Sequence, residues 1–357
     1  EDYTKAKVQE FEQLDGQHNK ITGNIITIPV VVHVLYRNST ENISVAQIQS
    51  QLDVLNEDFR RTNPDADNVW SQAADTQIEF CLSTVDPNGN STTGITRKST
   101  TRRNWGTSND MKRTSTGGIA PWNTSEYLNM WVVPQMLNAQ GGTILGYAQF
   151  PGGAASTDGV VMGYNYFGRV GAVSAPFDGG RTTTHEVGHF LNLRHIWGDS
   201  NCGNDFVSDT PTHQTSNAGC PAGRTSCGSV DMYQNYMDYS NDACMNIFTA
   251  DQTARMRAIL NPANNIINRS SLVEAGLTHT LCSSTPDYTV TANNSPVAAC
   301  AGSNAVFNFT FGVSNGYNAN TTLSATAGVP AGANVVFSPT SMNAAGSFTM
   351  TVSNLTA

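Results

Sequence analysis

Eleven residues, HEVGHFLNLRH from His185 to His195, constrain this chain more than any other stretch. On a helix, positions i and i+4 share a face about one turn apart, so His185 and His189 can present their imidazoles to one ion. Glu186 sits beside the first, placed to reach a water on that ion without binding the ion itself. Two ligands and a base is the division of labour of an H-E-x-x-H site. His195 lies six residues beyond His189, a rotation of about 600° on a continuous helix, far from a whole number of turns. The chain must therefore leave the helix if His195 is to join the same ion. A residue near Asn192 then has to take a left-handed turn, which glycine does at least cost and asparagine most commonly after it. Val187, Phe190, Leu191 and Leu193 would pack such a helix beneath a sheet, and Gly188 would let a neighbouring backbone approach.

The rest of the chain supplies that sheet. NIITIPVVVHVLY (24–36) is rich in β-branched residues and predicts a buried strand, in which His33 is a satisfied core residue rather than a ligand. SVAQIQSQLDVLNEDF (44–59) opens with a capping box, Ser44 with Gln47, and repeats apolar residues at helical spacing. IEFCL (78–82) and LNMWVVP (128–134) predict further strands, and RKSTTRRNWGTSNDMKR (97–113) a solvated basic loop. GTILGYAQFPGG (142–153) ends in Pro and Gly as an edge strand would, and an extended peptide can add itself to such an edge. TADQTARMRAIL (249–260) begins with a second capping box, Thr249 with Gln252, and predicts a helix closing the first domain.

The fold class is therefore α+β: a mixed twisted sheet with an active-site helix, then an irregular subdomain, then an all-β module. Residues 1–24 form an N-terminal extension, 25–278 the main domain, and 283–357 an Ig-like β-sandwich accessory domain, open to truncation at its end. No run of residues is long and apolar enough to span a membrane, and residues 1–20 are too polar for a signal peptide. A net charge of −9 disfavours nucleic acid as a partner. Four of the seven cysteines fall within 202–244, a stretch poor in core-forming residues, which points to disulfides and an oxidising compartment.

HEVGHFLNLRH followed by IWGD, a cysteine-rich insertion and NYMDY resembles the pappalysin family of metzincin zinc metallopeptidases, in particular its secreted bacterial branch. The likeness spans roughly residues 25 to 275 and includes the GYAQFPGG strand; the departure from the general metzincin pattern is Asn192, where most have glycine. The resemblance implies zinc held by His185, His189 and His195, with Glu186 as general base and Tyr239 stabilising the oxyanion. It implies that Met237 forms a Met-turn beneath the histidines, and that Cys202 pairs with Cys227 and Cys220 with Cys244. In metzincins the segment after that turn walls the pocket for the side chain following the scissile bond, so Asp242 there would favour Arg or Lys. Cys282 with Cys300 is a further expected bridge, leaving Cys81 odd; Cys81 with Cys282 is the competing pairing. The loop GDSNCGNDFVSDTPT (198–212) offers oxygen ligands for structural calcium, with Asp205, Thr210 and Asp209 the candidates and Asp199 also within it.

The function expected is that of a secreted, monomeric zinc endopeptidase acting on proteins or peptides. Two other readings stand beside it: a catalytically silent binding or adhesion protein on the same scaffold, and a zinc enzyme acting on something other than peptide bonds. Glu186 separates the first, because a silent relative could lose it and keep the fold. The edge strand disfavours the second.

Overall fold

The β-branched run becomes β1 (Ile26–Tyr36), the axis of a six-stranded sheet. Along one side it pairs in parallel with β2 (Ile78–Leu82) through Ile26–Val30 and with β3 (Ile95–Ser99) through Val32–Tyr36. On the other side come β4 (Leu128–Val133), β6 (Val160–Gly163) and, antiparallel at the margin, β5 (Gly146–Ala148). The period of two explains how one strand serves two cores. Ile28, Val30, Val32 and Val34 pack with Ile48, Leu52, Leu55 and Phe59 of α1 (Val45–Phe59), whereas Leu35 joins Trp105, Trp131 and Val161 in a second cluster.

His33 is fully buried in β1: its Nε2–H donates to Asn129 Oδ1 (2.9 Å), and the Thr96 hydroxyl lies 2.7 Å from Nδ1. Burial pushes its pKa down to about 4, so it is a neutral core residue, as expected. The capping box of α1 is only half made. Ser44 Oγ accepts from Gln47 N–H (3.1 Å), but Gln47 Oε1 accepts from Ala172 N–H (2.9 Å) rather than from Ser44, and its Nε2 donates to the carbonyls of Tyr164 and Phe167. A tertiary partner outcompetes the local one. The helix at Ala250–Ile259 (α3) makes both halves of its box, Thr249 with Gln252. The basic segment also departs from a solvated loop, because Lys112 is buried, donates to the Thr157 carbonyl (2.6 Å) and lies against the rings of Trp131 and Tyr147.

The computed structural model describes residues 25–261, 269–277, 281–282 and most of 287–355; the N-terminal extension at 1–24 lies outside them. The chain divides into two compact units, one ending at Cys282 and the other beginning at Ser283. In the second, β7 (Asp287–Ala292), β8 (Ala305–Ser314), β10 (Gly346–Ser353) and β9 (Asn334–Ser338) lie side by side in that order, all antiparallel. Phe309 and Phe348 face each other across β8 and β10 with stacked rings 4.9 Å apart. Thr321–Thr322 and Ser341–Met342 add a two-stranded ribbon.

Cys202 is bonded to Cys227 and Cys220 to Cys244. The third bridge corrects an expectation: Cys282 pairs with Cys81, not Cys300, which is exposed and unpaired. The reason is register. Ser83, two residues past Cys81 on the outer edge of the sheet, bridges Cys282, which brings the two sulfurs together.

Candidate metal centre

The histidine helix, α2 (Arg181–Phe190), runs under the sheet with Val187 and Phe190 in the main core. Gly180 at its N-cap has no side chain to offer the free amides. Asp242 supplies the cap from across the cleft, its Oδ2 accepting from Gly179 N–H (2.8 Å) and Arg181 N–H (3.1 Å). The helix is also tied to α1: Thr184 donates to Asp58 (2.7 Å), and the Arg181 guanidinium lies 3.1 Å from Asp58 and donates to Asp65 (3.0 Å).

The other end of α2 answers the geometric requirement set by His195. Asn192 has φ +77°. Its N–H donates to the His189 carbonyl and that of Leu193 to Gly188, each at 2.9 Å, a complete Schellman turn with asparagine in the left-handed position. Arg255 of α3 donates to the Asn192 carbonyl (2.9 Å). Gly188 is required for a side chain rather than for a backbone: a Cβ there would lie 2.5 Å from Met237 Sδ. Met237 is fully buried directly beneath the helix, in a turn closed by Asp238 N–H to the Asn235 carbonyl (3.1 Å). Its own carbonyl accepts from Ile196 N–H (3.1 Å), fixing the chain next to His195.

His185, His189 and His195 form the one group of three metal-ligating side chains found among the described residues, with one ligand atom from each within 4.8 Å of the others. Their Nδ1 atoms are all committed. His185 Nδ1–H donates to the Tyr236 carbonyl (2.7 Å), His189 Nδ1–H to the Leu193 carbonyl (2.7 Å), and His195 Nδ1–H to the Asp199 carboxylate. Because carbonyls and carboxylates only accept, each Nδ1 carries the proton and each Nε2 keeps its lone pair. Burial pushes all three imidazoles below their ordinary pKa, His189 to about 3, with charge repulsion between the rings adding to it for His185 and His189. Three neutral nitrogens, each ring held in orientation by an acceptor on its far side, are a donor set suited to zinc.

Glu186 is buried beside them. Burial pushes its carboxyl up to about 8, partly offset by the backbone N–H of Ala148 on β5, and a bound dication would draw it back down. Gly146 lets the strand pass, since a Cβ there would lie 2.6 Å from Met162 Sδ and 3.0 Å from Glu186 Cγ. The Tyr239 hydroxyl lies 3.0 Å from His195 Nε2; burial, then the charges of Glu186, Asp199 and Asp238, push it up to about 12, so it stays a donor at neutral pH. A cleft of about 340 Å³ opens from these residues and is lined by Thr143, Gly146, Glu186, Tyr239 and Asp242.

The calcium candidates divide. Asp205 is buried, with Oδ2 accepting from Thr210 (2.8 Å) and Oδ1 from Val207 N–H (3.1 Å). Asp209 is turned away from them: its oxygens accept from Thr249 (2.6 Å) and Asp251 N–H (3.0 Å), capping α3. Asp199 is likewise taken up by His195. That role went unseen in the sequence, although an Asp four residues after a ligand histidine is a signal that could have found it. Trp197, stacked on His195 at 4.3 Å, was also missed.

The model of peptidase family M43, described as pregnancy-associated plasma protein-A, matches residues 115–261. An extracellular metalloprotease of Arthroderma benhamiae is 32% identical over 242 residues, 65% of this chain and 76% of that one. A structure of mature mirolysin from Tannerella forsythia in complex with a cleaved peptide is 46% identical with a TM-score of 0.67, covering 71% of this chain and 98% of that one. Promirolysin from the same organism is 43% identical with a TM-score of 0.69, covering 78% and 94%.

Proposed function

Since the chain belongs to the pappalysin (M43) family of metzincin metalloendopeptidases, we propose that it is an extracellular zinc endopeptidase in which Glu186 is the general base. The observation that carries this reading is the convergence of three imidazole Nε2 atoms, each with its Nδ1 engaged, beside a buried carboxyl. His185, His189 and His195 would hold the zinc. Bound there, it supplies a Lewis acid that acidifies water and polarises the scissile carbonyl. Glu186 takes the proton of the attacking water and hands it to the leaving amine. Tyr239, kept protonated, donates to the oxyanion as charge develops on it.

Specificity is assigned to Asp242. One of its oxygens caps α2, and the residue lines the cleft, which supports a preference for Arg or Lys after the scissile bond. Structural calcium is assigned to the loop of Asp205 and Thr210. Burial pushes the Asp205 carboxyl up to about 6, a desolvation cost that a bound cation would offset. The all-β unit from Ser283 is assigned as a sandwich-type accessory module.

The test is digestion of casein and of a peptide library, with and without a zinc chelator, beside Glu186→Ala. The variant should bind one zinc per chain yet lose roughly 10²- to 10⁴-fold in kcat. Cleavage that ignores the chelator, or full activity in the variant, overturns the mechanism. An Arg/Lys preference that survives in Asp242→Ala overturns the pocket assignment alone.

A further inference from the structure

The exposed aromatic residues described in the first unit are two, Tyr239 and Phe150, at 49% and 41% exposure, and both stand against the histidines. Tyr239 has its role at His195. Phe150 lies against His189, its ring 5.1 Å from that of the histidine and tilted 44° to it, and the mechanism does not use it.

The register of β5 shows what Phe150 faces. Gln149 N–H donates to the Gly159 carbonyl (3.1 Å), and the Leu145 carbonyl accepts from Gly163 N–H (2.9 Å), so the odd-numbered residues spend backbone groups on β6. In a strand the even-numbered residues then turn theirs outward. Gly146, Ala148 and Phe150 therefore border the cleft, and the Ala148 N–H reaching Glu186 agrees with that. Side chains on this face point to the histidine helix: the Gly146 position overlies Glu186, Ala148 packs on the main core, and Phe150 emerges over His189.

Direction follows from the cleft. Its wall is Thr143–Gly146, and the chain runs from there past Ala148 to Phe150. If the cleft holds the side chain after the scissile bond, a substrate strand along this edge lies antiparallel to β5, and its residues before the bond lie beside Ala148–Phe150. We infer that Phe150 is a specificity-determining residue, an apolar shelf that favours apolar or aromatic side chains immediately N-terminal to the scissile bond. This rests on the orientation given to the cleft under the proposed function. The ring is half open to water, so the selectivity belongs at the low end of that of hydrophobic sites, about tenfold.

A peptide series tests it, with Arg fixed after the scissile bond and Leu, Phe, Gly or Asp placed in turn at each of the two preceding positions. The enzyme should favour Leu or Phe over Asp by about tenfold in kcat/KM at the position next to the bond, and a preference confined to the position before it overturns the inference. Phe150→Ala should collapse that ratio towards unity, and Phe150→Lys should make Asp the favoured residue. Zinc content, measured by elemental analysis, reports separately on the histidines. Equal cleavage of all four by the unaltered enzyme, or a preference that persists in the alanine variant, overturns the inference while leaving the metallopeptidase reading standing. Loss of zinc by Phe150→Ala would mark the ring as a prop for His189 and would also overturn it. No cleavage of any peptide by the unaltered enzyme would overturn both.

Discussion

Asn192 shows how much a single backbone conformation can decide. At φ +77° a β-branched side chain costs about 1–2 kcal/mol, and the turn it would disturb supplies the Leu193 carbonyl that orients His189. Asn192→Val should therefore lower both thermal stability and zinc affinity, whereas Asn192→Gly should keep one zinc per chain; competition with a fluorescent chelator checks both. Equal zinc affinity in the valine variant would count against the turn as the reason for the residue. Asp199 acts one bond further out. Removing the carboxylate that holds His195 Nδ1–H should weaken zinc binding about 10- to 100-fold in Asp199→Ala. At this scale the ligands and Glu186 were legible because helical spacing and the need for a bend are local geometry. The contacts of Asp199 with His195 and of Phe150 with His189 were not, since they depend on which way a ring or an edge strand turns after folding.

Between elements, the dependence of α2 on Asp242 would link the proposed specificity to stability. Asp242→Ala removes the acceptor of two amides at the helix start and should cost about 1 kcal/mol, while Asp242→Asn retains an oxygen there and should melt close to the parent protein. Both should lose the preference for Arg. The carboxyl is also pushed up to about 6 by burial, with the backbone N–H groups of Arg181 and Gly179 only partly offsetting that. It is charged above that value and neutral below it, so the ratio of kcat/KM for Arg over Leu after the scissile bond should fall as pH drops through about 6. A ratio flat across that range would place the selectivity elsewhere. Sequence reasoning found β1, β2, β4, the edge strand β5 and the three helices α1 to α3 from local pattern, but not β3 or β6, which are short strands completed by their neighbours in the sheet. It could not see that Gln47 would leave its capping box for Ala172 N–H and the carbonyls of Tyr164 and Phe167, because that competition exists only once α1 packs.

For the whole molecule, the three bridges do different work, and the difference is measurable. Cysteine positions alone left Cys282 with two candidate partners. The choice was made by sheet register, a property of residues far apart in sequence. Cys81–Cys282 closes a loop of 201 residues, and Cys202–Cys227 one of 25. Loop-closure entropy then ranks them at about 5 and about 3.5 kcal/mol. Cys202, however, lies three residues beyond Asp199, in the segment that holds His195. Replacing Cys81 and Cys282 together by serine should thus lower Tm about 5 °C further than replacing Cys202 and Cys227. The second pair should show the larger loss of zinc affinity, read with the chelator at a temperature where both variants are folded. Equal zinc affinity in the two, or the reverse order of Tm, would mean that the bridges do not divide fold and site between them in this way.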